Sequence, residues 1–344
     1  MRITVIGGTG HIGSFLVPSL ARSGHRVTVI SRGQRTPYAL DHPGHAEAWE
    51  QVERVTCDRE ATEADGAGEA DGAGEAVGAG EAIGADGAAG SDGSFGALVA
   101  GTRPEAVVDL ICFTLDQARH LAAHLDGQHL VHTGSVWAYG RSTTVPTTES
   151  TPKRPCGEYG IAKASLEDFW LREQDRVPAT VIHPGHISGP GWPAINPAGN
   201  LDAGVLRRLR ADGSCLLPDE GMGLLQHVHA ADVAALHQRA LEQPDAATGE
   251  AFNAVAASSL TLRGYAELLA EHFGHEPRLE FLPWQEWARA VGSENAAVTA
   301  DHVSRSPHHL MAKARELLGF TPRHSIQDTV IEAAQWQADH GDHG

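Results

Sequence analysis

The chain has 344 residues, is 41% hydrophobic and 20% charged, and carries a formal net charge of −18. That composition suits a globular protein of one large domain or two modest ones, and no apolar run approaches the roughly 20 residues a membrane helix needs. The acidic balance argues against a nucleic-acid partner held through phosphate contacts. Cys57, Cys112, Cys156 and Cys215 are few and widely spaced, the pattern of reduced thiols in a cytoplasmic protein rather than a disulfide framework. Met1 and Arg2 lead straight into an apolar run, which predicts no signal peptide.

The first predicted strand, Ile3–Ile6, runs into Gly7-Gly8-Thr9-Gly10-His11-Ile12-Gly13 and then into a helix over Ile12–Ser23 with Ile12, Phe15, Leu16 and Leu20 on one side. Gly7 permits a tight turn, Gly10 lets the backbone approach a pyrophosphate, and Gly13 allows close helix–strand packing. The helix start adds free N–H groups and a positive dipole end. A dinucleotide site is therefore expected here. The second strand, Val27–Ile30, ends in Ser31-Arg32-Gly33. NAD-selective sites place an acidic residue here for the ribose 2′-hydroxyl, whereas a hydroxyl beside a guanidinium suits a 2′-phosphate, so NADP is expected in preference to NAD.

The third strand, Val52–Cys57, is followed by Asp58, placed either to meet the adenine edge or to cap the strand end. Residues 60–92 carry nine Asp or Glu and no Lys or Arg, which is half the net charge. Within them residues 68–85 read GEADGA GEAVGA GEAIGA. With no aromatic side chain and few bulky aliphatics, the stretch 60–93 cannot bury enough apolar surface to offset its ordering entropy, and a disordered surface insertion is expected.

Strands are predicted at Ala106–Ile111, His129–Thr133 and Thr180–His183, with helices at Asp116–Leu125 and Tyr159–Arg176 between them. Apolar strands alternating with helices predict a Rossmann-like, doubly wound α/β fold whose parallel sheet is covered on both faces. Ser135 leaves the fifth strand at the sheet edge where such folds place ligands. Tyr159 and Lys163 sit four apart on one helix face, in a chain with only four Tyr. Lys163 would place positive charge near the Tyr159 hydroxyl and lower its pKa toward neutrality, letting it exchange a proton while a hydride moves.

Pro and Gly dominate 184–199. Helices over Leu201–Ala211, Ala231–Glu242, Leu262–Phe273, Trp284–Val291, Leu310–Leu318 and Ile326–His340 then interleave with short strands at Glu250–Val255 and Arg278–Leu282. This predicts a cofactor domain over 1–184 and a smaller mixed α/β substrate lobe over 185–344, with room for segments of the latter to return to the cofactor domain. Among 21 histidines, His227 and His229 share a strand face. No cysteine or carboxylate cluster completes a tetrahedral set with them in sequence, so no metal is expected.

These motifs together resemble the extended short-chain dehydrogenase/reductase family, the NAD(P)-dependent epimerase/dehydratase group. The resemblance rests on Gly7/Gly10/Gly13, Asp58, Ser135 with Tyr139-Gly140, Glu149-x-x-Pro152, Tyr159-x-x-x-Lys163, His183-Pro184 with Gly189-Pro190, and His229-Ala-Ala-Asp232-Val233. It implies a catalytic triad of Ser135, Tyr159 and Lys163. The cofactor set it implies is Gly7, Thr9, Gly10, His11, Ile12, Gly13, Ser31, Arg32, Asp58, Leu110, Tyr159, Lys163 and Pro184. His186, Trp137, Trp192 and Asn196 would line the substrate side, and a homodimer is the family-level expectation.

Three departures bear on substrate. Val136 and Trp137 stand where sugar-nucleotide dehydratases place an Asp-Glu pair. Leu225 stands where epimerases often carry a diphosphate-binding Arg, with Arg207, Arg208 and Arg210 on a helix nearby in sequence. His183 takes the place of a family Arg. The reading is an NADP(H)-dependent oxidoreductase acting on a secondary alcohol or carbonyl of a small molecule. Its alternatives are an epimerase of a sugar or sugar nucleotide, with transient oxidation, and a non-catalytic NADP-binding regulatory protein.

Overall fold

The structure is a computed structural model that describes residues 1–38, 42–60 and 94–341. The acidic repeat, expected to be a disordered insertion, lies outside the described residues. Six strands come first: β1 (Arg2–Ile6), β2 (Arg26–Ser31), β3 (Glu53–Thr56), β4 (Ala106–Asp109), β5 (His129–Thr133) and β6 (Ala179–Pro184). Then follow β7 (His186–Ser188), β8 (Ser214–Pro218), β9 (Leu224–Leu225), β10 (His227–His229), β11 (Ala251–Ala254), β12 (Leu260–Thr261) and β13 (Arg278–Leu282).

Seven of them form one sheet in the order β11-β6-β5-β4-β1-β2-β3. β1 pairs in parallel with β2 (Ile3↔Val27) and with β4 (Ile3↔Ala106). Strand order therefore reverses at β1, the point where open α/β sheets leave a ligand crevice beyond the strand ends. Ile3, Val5, Ile6, Val107 and Val108 are at most 1% exposed. Apolarity on both sides is what a parallel sheet covered on both faces requires.

Local chemistry sets the flanking helices. Helix His11–Arg22 buries Phe15, Leu16 and Leu20 and ends before Gly24, whose φ of +82° suits glycine. Helix Leu115–Ala123 opens on a reciprocal capping box between Thr114 and Gln117. Helix Gly157–Arg172 occupies the place expected of the catalytic helix.

The chain forms two compact units that interleave along the sequence. The first comprises Met1–Thr133, Asp168–Thr180 and Ala240–Glu250; the second comprises Gly134–Glu167, Val181–Arg239 and Ala251–Gly344. The glycine loop belongs to the first unit. Ser135, Tyr159 and Lys163 belong to the second, whose main apolar cluster gathers Leu209, Leu217, Tyr265, Trp287 and Val330. The helix Ser293–Val303 and the parallel pair β7/β10 were not expected. Among the described residues no helix is long and apolar enough to cross a membrane.

Candidate active site

The first unit holds a cavity of about 300 Å³ beside the glycine loop. Gly7, Thr9 and Gly10 line it, with Ser31, Arg32, Gly33 and Arg35 after β2, Asp58 after β3, and Ile111 and Phe113 after β4. Gly7 adopts φ +78°, and a Cβ there would come within 2.6 Å of Ile111. A Cβ at Gly13 would collide with the Gly8 carbonyl oxygen, so the helix packs directly on the loop. No side chain caps the helix at Gly10, which leaves its first turn available to an anion. A bare glycine cradle, an uncapped helix start and two guanidinium groups fit a phosphate-bearing nucleotide.

His11, Ile12 and Gly13 open the helix and are buried. Leu110 lies outside this lining, its N–H bonded to the Ile6 carbonyl. Asp58 both lines the cavity and acts as a cap, its Oδ1 accepting the Glu60 N–H at 3.1 Å. Beside it the buried Arg59 donates to Asp109 Oδ2 at 2.9 Å and to the Gln117 carbonyl at 2.9 Å. This pair ties the chain after β3 to the end of β4.

Ser135, Tyr159 and Lys163, the expected acid/base residues, all lie in the second unit. Ser135 is extended, and its Oγ accepts the Trp137 N–H at 3.2 Å, starting a short 3₁₀ turn over Val136–Tyr139. A Cβ at Gly160 would stand 2.8 Å from the Trp137 carbonyl oxygen, so the catalytic helix packs against that turn at its first residues. The packing sets the Tyr159 phenol near enough to the Ser135 hydroxyl for Ser135 to act on its pKa. Lys163, one turn on and 2% exposed, places its ammonium 5.7 Å from the Tyr159 ring centroid.

The phenol does not titrate as expected. Desolvation raises its pKa above the ordinary tyrosine value, and the Ser135 hydrogen bond lowers it only in part. Tyr159 as a residue is 43% exposed. The lowering expected from Lys163 is corrected: the shift is upward, and Ser135, not Lys163, is the group that opposes it.

A run of aromatic rings leads away from Tyr159. Trp137 meets Tyr159 edge-on at 5.7 Å and His302 at 5.5 Å, His302 meets His186 at 4.8 Å, and His186 meets His227 at 5.6 Å. Arg305 stacks on Trp137 at 3.8 Å, donates to Asp301 and the Cys156 carbonyl, and is 4% exposed. Both ring nitrogens of His186 are buried without a hydrogen-bond partner among the described residues. Burial above all, with neighbouring imidazoles and Arg305 adding to it, holds His186 well below the ordinary histidine value. Burial likewise holds His227 near 3. These rings are neutral at pH 7.

The other expected substrate residues fare differently. Asn196 spends its amide on its own loop, donating to Asn200 Oδ1 and the Asp202 carbonyl and accepting from Ala198; it holds the loop. Trp192 lies half-buried two residues after Pro190. Pro184 ends β6, paired with Ala254 of β11. Leu225 is fully buried in the apolar cluster. Arg208 faces Asp202 at 3.9 Å, Arg210 donates to the Ala338 carbonyl, and Arg207 lines a separate cavity with Phe273 and Ala334.

One histidine cluster was invisible in sequence. His229 and His324 stack at 3.9 Å, His229 Nε2 lies 3.0 Å from Glu332, and His324 Nδ1 lies 3.0 Å from Asp232. The three ligand atoms of His229, His324 and Glu332 could surround an ion. His229 Nδ1, however, accepts the Ala231 N–H at 3.0 Å, which leaves the ring proton on Nε2 toward Glu332. The lone pair a metal would need is thus occupied by that proton. The hydrogen bond to Asp232 raises His324 above the ordinary value.

Comparison with known proteins places the chain. The profile of the family described as "NAD dependent epimerase/dehydratase family" matches residues 3–68 and 100–254. A 2′-dehydrokanamycin reductase of Streptomyces kanamyceticus is 32% identical over 169 residues, 49% of this chain. The chain spans 37% of that relative's own length. A dTDP-6-deoxy-L-talose 4-dehydrogenase (NAD(P)(+)) of Kitasatospora kifunensis is 25% identical over 96% of this chain and 94% of its own. The solved UDP-glucose 4-epimerase of Thermotoga maritima, with UDP-glucose, shares the fold at a TM-score of 0.69 and 20% identity, covering 99% of each chain. The chain belongs to the NAD dependent epimerase/dehydratase family and is an NAD(P)-dependent enzyme of the extended short-chain dehydrogenase/reductase type.

Proposed function

We propose that the chain is an NADP(H)-dependent oxidoreductase that moves a hydride to or from a secondary alcohol or carbonyl carbon of a small molecule, with Tyr159 as acid/base. The gathering of Ser135, Tyr159 and Lys163 carries this reading, Ser135 acting on the phenol and Lys163 lying one turn below it. Bound nicotinamide supplies or accepts the hydride. Ser135 and Tyr159 together present two hydroxyls to one reacting oxygen, so Ser135 orients that oxygen while Tyr159 gives or takes its proton. A phenol held above its ordinary value stays protonated at neutral pH and is ready to donate, which suits carbonyl reduction. The relative named as a 2′-dehydrokanamycin reductase fits that direction.

NADP over NAD is supported by Ser31, Arg32 and Arg35 on the cavity wall where an acidic residue would otherwise meet the ribose. A substrate without a nucleotide diphosphate is supported by the buried Leu225, by the engaged Arg208 and Arg210, and by the neutral imidazoles His186 and His227. The expectations for His186 and Trp137 as substrate wall are retained on the ring run that begins at Tyr159.

An epimerase uses the same residues and is the second reading, favoured by the similarity to the Thermotoga maritima fold. Net cofactor turnover separates the two. A panel of keto-sugars and simple ketones with NADPH should show reduced nicotinamide consumed as alcohol forms. Product without net consumption would establish the epimerase.

A further inference from the structure

Behind Ser135 runs a line of polar groups that the activity just proposed does not use. Lys153 Nζ donates to Glu167 Oε1 at 2.7 Å. Glu167 Oε2 lies 3.0 Å from His183 Nε2, a close charge contact that does not meet hydrogen-bond geometry. His183 Nδ1 accepts the Ser135 N–H at 3.0 Å. Glu167 and His183 side chains are 5% and 0% exposed. An ionised carboxylate at such depth is costly without partners. Burial pushes Glu167 upward, but His183 and Lys153 outweigh it and hold the carboxyl at about 2. It is therefore charged.

The ring proton follows from the hydrogen bonds. A backbone N–H can only donate, so His183 Nδ1 is a bare lone pair, and the proton sits on Nε2, facing Glu167. The imidazole also lies flat against the chain: a Cβ at Gly134 would collide with His183 Nδ1. Ser135 is thus gripped twice, at its N–H by His183 and at its Oγ by the Trp137 N–H.

We propose that Glu167 and His183 are positioning residues: the Lys153–Glu167 pair locks His183 in its Nε2–H tautomer, and the His183 lone pair sets the Ser135 peptide and so aims the Ser135 hydroxyl at Tyr159. The inference rests on the reading of Ser135 and Tyr159 as the reacting pair. It assigns a role to His183, which stands where relatives carry a cation.

Glu167→Gln tests it. The amide keeps the shape but offers a single acceptor oxygen to two donors, Lys153 and His183. Its NH₂ then faces His183 Nε2 and drives the ring proton to Nδ1, against the Ser135 N–H. With the fold intact by circular dichroism and thermal melting, kcat should fall about ten- to hundred-fold while KM and NADP affinity hold. Adding Lys153→Met frees the amide oxygen to accept from His183 and should restore most of the rate. Gly134→Ala displaces the ring and should cost as much, without adding to Glu167→Gln.

Side-chain ¹⁵N NMR of His183, assigned by its loss in His183→Asn, reads the tautomer without any substrate. Nδ1 should be bare in the native chain and protonated in Glu167→Gln. A native Nδ1–H overturns the proposal, as does an unchanged kcat in a Glu167→Gln chain whose tautomer has switched. If Tyr159→Phe keeps its turnover while the NMR result stands, the catalytic reading of the pair fails and the tautomer lock does not.

Discussion

At Tyr159 desolvation and a hydrogen bond pull in opposite directions, and desolvation prevails. The sign of the pH profile follows. In the reduction direction the protonated phenol is the active form, so the rate should stay level through neutrality and fall only in the alkaline range, above about 10. In the oxidation direction the phenolate is required, and the rate should climb over the same range. A reduction rate already falling near pH 7 would contradict the assignment. Tyr159→Phe should lower kcat by about 10²–10⁴-fold, read as NADPH oxidation at saturating cofactor. Arg32→Ala should weaken NADP binding by roughly ten- to hundred-fold, the worth of a charge-assisted contact to phosphate, and leave NAD binding unchanged; calorimetric titration of both cofactors checks this. The glycine triplet and the Tyr159/Lys163 pair were legible because their chemistry is local, within one loop and one helical turn. Arg59 with Asp109 was not legible, nor was Arg305 on Trp137. Each is an ordinary surface-type residue in sequence, and only tertiary packing brings it to a partner far along the chain.

Among elements, those with a strong apolar period were legible and those with polar faces were not. β1, β2, β4, β5 and β6 read directly as strands because both faces are largely buried, whereas β3 is mostly exposed and lies at the sheet edge. The helix Ser293–Val303 carries His302, yet it buries only Ala296 and Thr299 and begins at Gly292 without a side-chain cap, so no apolar stripe announces it. His227 and His229 share a predicted strand, but its three-residue partner β7, which pairs His186 with His227 and Ser188 with His229, is too short to show an alternation. The link between β3 and β4 gives a test at this scale. Arg59→Leu leaves Asp109 buried and unpaired and should cost about 3 kcal/mol of stability, read as a lower urea midpoint at unchanged slope. A midpoint equal to wild type would show that the pair holds nothing.

For the whole molecule, buried histidines set the response to acid. Burial holds His129, His237 and His309 near 4 and His227 near 3. The unfolded chain takes up protons at these sites near 6.5 and the folded chain does not, so stability is present above that value and is lost as pH falls through about 6.5 to 4. Glu167 adds in the same sense lower down, its contribution present above about 4.5 and lost toward 2. Urea midpoints should hold from pH 8 to about 7 and decline from there to pH 4, and a flat profile throughout would show that these rings are solvated. The α/β class was legible at this scale. Which segments cross between the two units was not, because 168–180 and 240–250 belong with residues far from them in sequence.

The most direct test of the catalytic account is a stoichiometry. Wild-type and Tyr159→Phe chains are incubated with NADPH and keto-sugar substrates, and oxidised cofactor is counted against alcohol formed. One NADPH consumed per alcohol in the wild type, with turnover lost in Tyr159→Phe, is the predicted result. Product formed with no net NADPH consumed, or undiminished turnover in Tyr159→Phe, would contradict it.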